Sequence, residues 1–410
     1  MEATLQSIFS EDFNQYAKGK SLPYKYYKAA NAIRHCRTVA MGGHVYRCPE
    51  NHEQHIQYNS CKHRSCPQCN ALPKAQWVDS QLERILDCDH YHVIFTLPHE
   101  LLSLWQYNRR WFADQLFQAC RDTLITLLKD PKHLGALPGI IMALHTWGRT
   151  LSLHPHIHCL VSGGGLDSEG HWRVLKYDYL LPVAVVKSLY KGKLLARLWD
   201  ALNEGSLTLP PWQKSADIQR LLRKLNNKDW NARIQERYAH GKGVMLYLAR
   251  YVKGGAISND RIDEVTPKSV AFRYKDHRDN RHKTLELKKH QFIERVLWHV
   301  PETGQHTVRH YGLYSHHSRD KRQRCRQPLG QGPEQKITEP LDWQRFLEEI
   351  GQGEKGKCSQ CGQPLLRCHS IGATRWSGKN SINKWAAHVQ PRVEHGATPG
   401  PKMDTGPPRV

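Results

Sequence analysis

Three histidines, His154, His156 and His158, stand at alternate positions in the stretch LSLHPHIHCLVSGGGL. Side chains of a β-strand repeat with a period of two. An extended backbone here therefore presents all three imidazoles on one face and Pro155, Ile157 and Cys159 on the other. Such a face can offer nitrogen ligands to a single divalent ion. His156 and His158 are the leading pair. A third ligand could be His154 itself, His92 in YHVIFTLPHE or His145 in IIMALHTW, the last two if their strands lie beside that of His156.

A second group of residues could supply a nucleophile. In KGVMLYLARYV (242–252), Val244, Leu248 and Val252 follow helical spacing, and Gly254-Gly255 closes the segment. Tyr247 and Tyr251 are one helical turn apart, so their hydroxyls share a flank. A phenol with a pKa of about 10 is a poor nucleophile at neutral pH. A divalent ion that polarises a phosphodiester makes its attack feasible. Such an attack exchanges one phosphodiester for another, stores the bond energy in a protein–DNA link and needs no ATP. The segment from Gly372 to Gly378-Lys379-Asn380 is no phosphate loop: its spacing is one residue too long, and Asn stands where Ser or Thr should hold magnesium.

Cysteines form the third group. In CPENHEQHIQYNSCKHRSCPQC, Cys66 and Cys69 have the Cys-x-x-Cys spacing that lets two thiolates reach one tetrahedral zinc ion. Cys48, with either His52 or Cys61, would complete four ligands. Near the other end, Cys358, Cys361, Cys368 and His369 are a candidate second zinc set. Cysteine pairs of this spacing in a reducing compartment more often hold zinc than form disulfides.

The elements that must position these residues divide the 410-residue chain into three parts. Residues 1–75 are expected to form a small zinc-binding, DNA-contacting domain. Residues 85–325 are expected to form the catalytic domain, with short strands near 91–100, 140–147 and 156–163, a helix over 105–129 that stops before Asp130-Pro131, and a helix-rich insertion at 165–240. Residues 333–410 read as a Gly- and Pro-rich tail enclosing the possible second zinc module at 358–369. Sixty Lys and Arg against 38 Asp and Glu leave a formal charge of +22, which favours a polyanionic partner, nucleic acid above all. Lys62, Arg64, Arg250, Lys253 and Arg309 are candidate DNA contacts. No apolar run reaches the roughly 18 residues of a membrane span, and the first residues lack a secretory signal pattern. These features predict a cytoplasmic, nucleoid-associated protein with no membrane partner.

FTLP (95–98), HTWG (145–148), HPHIHCLVSGGGL (154–166), YLARYVKGGAISNDRI (247–262) and RHYGLYS (309–315) occur in that order behind the cysteine-rich start. In this the chain resembles the transposases of rolling-circle insertion sequences, members of the HUH superfamily, including the ISCR-related type. The resemblance covers residues 30 to about 325. It implies an α+β fold: an antiparallel HUH-endonuclease sheet of four or five strands with helices on one face, preceded by a small zinc-binding domain. It further implies His156 and His158 as ligands for catalytic Mg²⁺ or Mn²⁺, Tyr247 and Tyr251 as nucleophiles, and a structural Zn²⁺. The implied partners are the single-stranded ends of a mobile element, its target DNA, and host helicase and replication proteins, because the chain has no helicase motif. Relatives often show Cys-x-x-Cys where this chain has Cys48-Pro49-Glu50-Asn51-His52. Two other functions use the same residues: a plasmid rolling-circle replication initiator or relaxase, and a zinc-dependent DNA-binding protein whose histidine strand is structural.

Overall fold

The computed structural model describes residues 3–239, 254–276, 278–335 and 339–374. Its strands form three antiparallel sheets in an α+β architecture. The first sheet joins β1 (Gly43–Arg47) and β2 (Gln54–Tyr58) to β12 (Leu366–Ile371), in the order β12-β1-β2. The central sheet runs β11-β4-β5-β3-β7 and comprises β3 (His90–Thr96), β4 (Leu137–Trp147), β5 (Leu153–Leu166), β7 (Ala232–Tyr238) and β11 (Val308–Gly312). The short β6 (Trp172–Val174) pairs with β5. The third sheet is β8 (Ile262–Val265), β9 (Ser269–Lys275) and β10 (His282–Lys288).

Alternation along the central strands sets two different faces. On one, Val93, Phe95, Ile140, Met142, Leu144, Ile157, Cys159 and Val161 pack in the main core. The helices Arg109–Lys129, Val183–Asn203 and Ser215–Asn226 cover that face with Phe112, Leu116, Phe117, Tyr190, Leu194, Leu198 and Leu222. The expected helix over 105–129 is divided at Asn108, whose side-chain amide donates to the carbonyls of Leu104 and Thr208 at 2.9 and 2.8 Å. On the opposite face, Ile141, Ala143 and Leu160 meet Ile85, Leu86, Leu313, Tyr314 and Cys325 in a smaller cluster. Beyond it, the same face carries the histidines. Gly139 makes room for the ring of Tyr314, since a Cβ there would lie 2.7 Å from Tyr314 Cε2. Tyr314 thereby donates its hydroxyl to His90 Nε2 at 2.6 Å, while His90 Nδ1 donates to the Cys88 carbonyl at 2.8 Å.

The N-terminal helices Leu5–Ala17 and Tyr24–His35 do not stand apart. They share one apolar cluster with Cys36, Cys66 and Cys69, with Leu151 from the β4–β5 turn, and with Val270, Phe272, Leu287, Phe292 and Ile293 of the third sheet and the helix Lys289–Trp298. Residues 262–300 thus pack mainly with the N-terminal module, while Trp298 reaches the central sheet's main core. The 165–240 region contains the helices Val183–Asn203 and Ser215–Asn226, and its β6 and β7 are members of the central sheet. From the tail, β12 pairs with β1. The candidate helix 242–252, with both tyrosines, lies outside the described residues. No helix among the described residues is long and apolar enough to cross a membrane.

Two buried histidines make the fold acid-sensitive. Burial pushes His90 down to about 4 and His299 down to about 3. Both rings are neutral in the folded chain, whereas an unfolded histidine titrates at about 6.5. Unfolding therefore takes up protons below that value. The contribution is fully present above pH about 6.5 and is lost as pH falls toward the folded values, at about 2 kcal/mol per ring by pH 5. The melting temperature is expected to fall steadily between pH 7 and 5, and His299→Gln should flatten that decline. An acid limb identical in the variant would show that His299 does not contribute.

Candidate metal centre and zinc clusters

Strand register brings the histidines together. His145 on β4 lies opposite His156 on β5, and Ala143 lies opposite His158, so the three imidazoles project from one face. One nitrogen of each of His145, His156 and His158 lies within 4.8 Å of the others. Ring centroids are 4.6 Å apart for His145 and His158 and 4.7 Å for His156 and His158. Of the three candidates for a third position, His145 is the one that joins this group.

The other two play different parts. His92, opposite Leu160 on the neighbouring β3, places Nε2 2.8 Å from His158 Nδ1. A hydrogen bond through that nitrogen fixes the tautomer and orientation of the His158 ring. His154 is exposed, with its ring 5.1 Å from that of His156, and its carbonyl accepts from His156 Nδ1 at 2.6 Å. Trp147 lies flat on His145, with centroids 4.6 Å apart and planes 13° from parallel. Burial, reinforced by the neighbouring imidazoles, holds His156 down to about 3 and His158 well below its ordinary value. Both are thus neutral at physiological pH, the state in which an imidazole can ligate.

Tyr247, Tyr251, Arg250 and Lys253 lie outside the described residues. The described chain stops before them after β7, at the sheet end where Tyr238 pairs with His90. It resumes at Gly254-Gly255, where a Cβ on Gly255 would meet the Ser65 carbonyl oxygen at 2.9 Å.

The cysteines sort into two clusters rather than the sets their spacing suggests. Cys61, Cys66 and Cys69 are joined by Cys36, just past the helix Tyr24–His35, with Sγ–Sγ distances of 3.1 Å (Cys36–Cys69) and 3.5 Å (Cys61–Cys69). Cys48 and His52 are not part of this group: they lie with Cys358 and Cys361. Cys368 and His369 sit exposed on β12, outside both clusters. Cys36 carries no spacing signal in the sequence, since it stands well before Cys61 and belongs to no Cys-x-x-Cys pair.

The basic candidates also differ. Lys62 is exposed beside the four-cysteine cluster. Arg64 is turned inward to the Thr307 hydroxyl, and its burial lowers it to about 10. Arg309 is engaged by Asp114 and lies 4.4 Å over the Phe117 ring, so it braces β11 against the helix Arg109–Lys129 rather than facing solvent as a DNA contact would.

Comparison with known proteins places this arrangement. A family model described as "Transposase zinc-binding domain" matches residues 8–97, and one described as "Putative transposase" matches residues 139–322. The chain is 34% identical over 356 residues to "Putative transposase y4qJ" of Sinorhizobium fredii (strain NBRC 101917 / NGR234), spanning 85% of this chain and 89% of that protein. The chain belongs to the IS91 family of insertion-sequence transposases. It is also 32% identical over 288 residues to the transposase for insertion sequence element IS801 of Pseudomonas savastanoi pv. phaseolicola, spanning 68% of this chain and 67% of that protein. The transposase is accordingly a DNA-processing enzyme. The cluster Cys36, Cys61, Cys66 and Cys69 falls inside the matched zinc-binding domain, and four thiolates closed around one point suit a structural zinc ion.

Proposed function

We propose that this transposase is a metal-dependent single-strand endonuclease and strand-transferase that moves its element by a rolling-circle route through a 5′-phosphotyrosine intermediate. The observation that carries this reading is the convergence of His145, His156 and His158 on one sheet face, with His145 and His158 buried and His156 partly exposed at the edge of an apolar cluster. Three neutral imidazoles fit a divalent ion and leave positions open for phosphate oxygens. A bound ion would polarise the scissile phosphate as a Lewis acid. Tyr247 or Tyr251 supplies the attacking hydroxyl. A bond forms between Tyr Oη and phosphorus, the bond from phosphorus to the 3′ oxygen breaks, and the departing 3′ oxygen takes up a proton. His92 keeps the His158 ring in place, while Lys62, Arg250 and Lys253 contact phosphates along the strand. Strand displacement falls to host helicase and replication proteins.

Cleavage of a labelled single-stranded element end tests this reading. The purified chain should cut with added Mn²⁺ or Mg²⁺ and stop in EDTA. An all-imidazole ligand set suits Mn²⁺ better than Mg²⁺, a hard ion that favours oxygen, so Mn²⁺ should work at the lower concentration. Cutting that persists unchanged in EDTA would rule out the metal role of the histidines.

A further inference from the structure

We infer that Cys48, His52, Cys358 and Cys361 form a second zinc site, which fastens the segment 353–374 onto the N-terminal domain. Their four ligand atoms lie within 4.8 Å of one another, although Cys48 and Cys361 are 313 residues apart. Cys48 Sγ is 3.5 Å from Cys361 Sγ and 3.6 Å from His52 Nδ1, and Cys358 Sγ is 3.8 Å from His52 Nδ1. Tetrahedral zinc with ordinary bond lengths has S–S edges of about 3.8 Å and S–N edges of about 3.6 Å. A disulfide would require about 2.05 Å between sulfurs.

Both halves of the site are tight turns that aim their ligands at one point. In the first, the Cys48 N–H donates to the Glu53 carbonyl and the Asn51 N–H to the Cys48 carbonyl, each at 3.0 Å, with Asn51 in the left-handed region at φ 59°. In the second, the Cys358 N–H donates to the Gln363 carbonyl at 2.8 Å and the Gly362 N–H to the Cys358 carbonyl at 2.9 Å, with Gly362 at φ 70°. The turns are joined directly: the N–H and hydroxyl of Ser359 donate to the Glu53 carboxylate at 2.6 and 3.0 Å. From there the chain runs into β12, which pairs with β1 from Arg47↔Leu366 to Gly43↔Ile371.

This small sheet buries little apolar surface beyond Val45. Leu366 is 56% and Ile56 50% exposed, and five of the six β12 residues are exposed. Three strands with little buried area need a staple, and a structural metal supplies folding free energy directly. The site is independent of the cleavage chemistry, so it stands or falls separately from the nicking assay.

Metal analysis of the full chain purified with zinc tests the inference, with His156→Ala and His158→Ala in the parent chain so that the three-imidazole group takes none. Two zinc ions per chain are expected, one for each cluster. Cys358→Ser with Cys361→Ser should leave one and accelerate tryptic removal of the C-terminal segment roughly tenfold or more. His52→Cys, which keeps a four-ligand set, should retain two, as should Cys368→Ser with His369→Ala. Because the serine variant could misfold, ¹¹³Cd NMR of the cadmium-loaded wild-type chain provides a second reading: one resonance from a four-sulfur site and one from a three-sulfur, one-nitrogen site. One zinc in that parent chain, absence of the three-sulfur, one-nitrogen cadmium resonance, or two zinc ions retained when Cys358→Ser and Cys361→Ser are added to it would overturn the inference.

Discussion

Replacing His158 with alanine should abolish cleavage of single-stranded element ends while leaving their binding nearly intact. His158 sits buried between His145 and His156, with His92 behind it, so its loss removes a nitrogen from the proposed ion and the anchor of the ring arrangement. Loss of groups that merely orient a ligand typically costs 10–100-fold, so removal of the ligand should cost at least about a hundredfold in cleavage rate. His92→Ala, which removes only the orienting contact, should fall within that smaller range. His154→Ala should have little effect, because its ring stands outside the three-nitrogen group. Affinity for single-stranded DNA rests mainly on Lys and Arg contacts to phosphate and should survive all three changes. A thermal melt of each variant separates lost chemistry from lost fold. Binding and cleavage lost together from a folded His158→Ala protein would mean that the histidine strand serves structure.

The histidine face was legible because a strand's period of two leaves no alternative for residues at 154, 156 and 158. The choice of His145 over His92 was legible only in part: the short turn from Gly148 to Leu153 makes the strands of His145 and His156 neighbours, but β3 flanks β5 on the other side, and the register on each side decides which histidine reaches the group. His92 does lie beside β5, but opposite Leu160, one step too far along the sheet to join His145 and His156. The central sheet could be anticipated from apolar strands at 91–97, 140–147 and 156–163. The third sheet could not: in SVAFRYK, the inward Val270 and Phe272 alternate properly, but the surrounding charge from Lys268 to Lys289 makes the stretch read as basic surface. The cysteine clusters were partly hidden for a related reason. Spacing identifies two thiolates of a site when they are neighbours, as Cys66 and Cys69 are, and says nothing about a partner delivered by a helix end or by the far end of the chain.

The larger effect is expected at the tyrosines. Tyr→Phe deletes one oxygen and leaves the ring, so it removes the proposed nucleophile with the smallest change to the side chain. Tyr247 and Tyr251 stand four residues apart in the sequence, and two nucleophiles can hold two strand ends in succession without releasing either. Tyr247→Phe or Tyr251→Phe alone should abolish or strongly reduce the covalent adduct, with Tyr247 favoured as the first attacker, and the double change should leave none. The decisive measurement traps that adduct: the chain is incubated with a labelled single-stranded element end and divalent ion, denatured, digested and mapped by mass spectrometry. The account predicts a 5′-phosphotyrosyl peptide containing Tyr247 or Tyr251 and a free 3′-hydroxyl on the other DNA fragment. An adduct of unchanged yield in the double Tyr→Phe protein, or cleavage with no covalent intermediate at all, would contradict it.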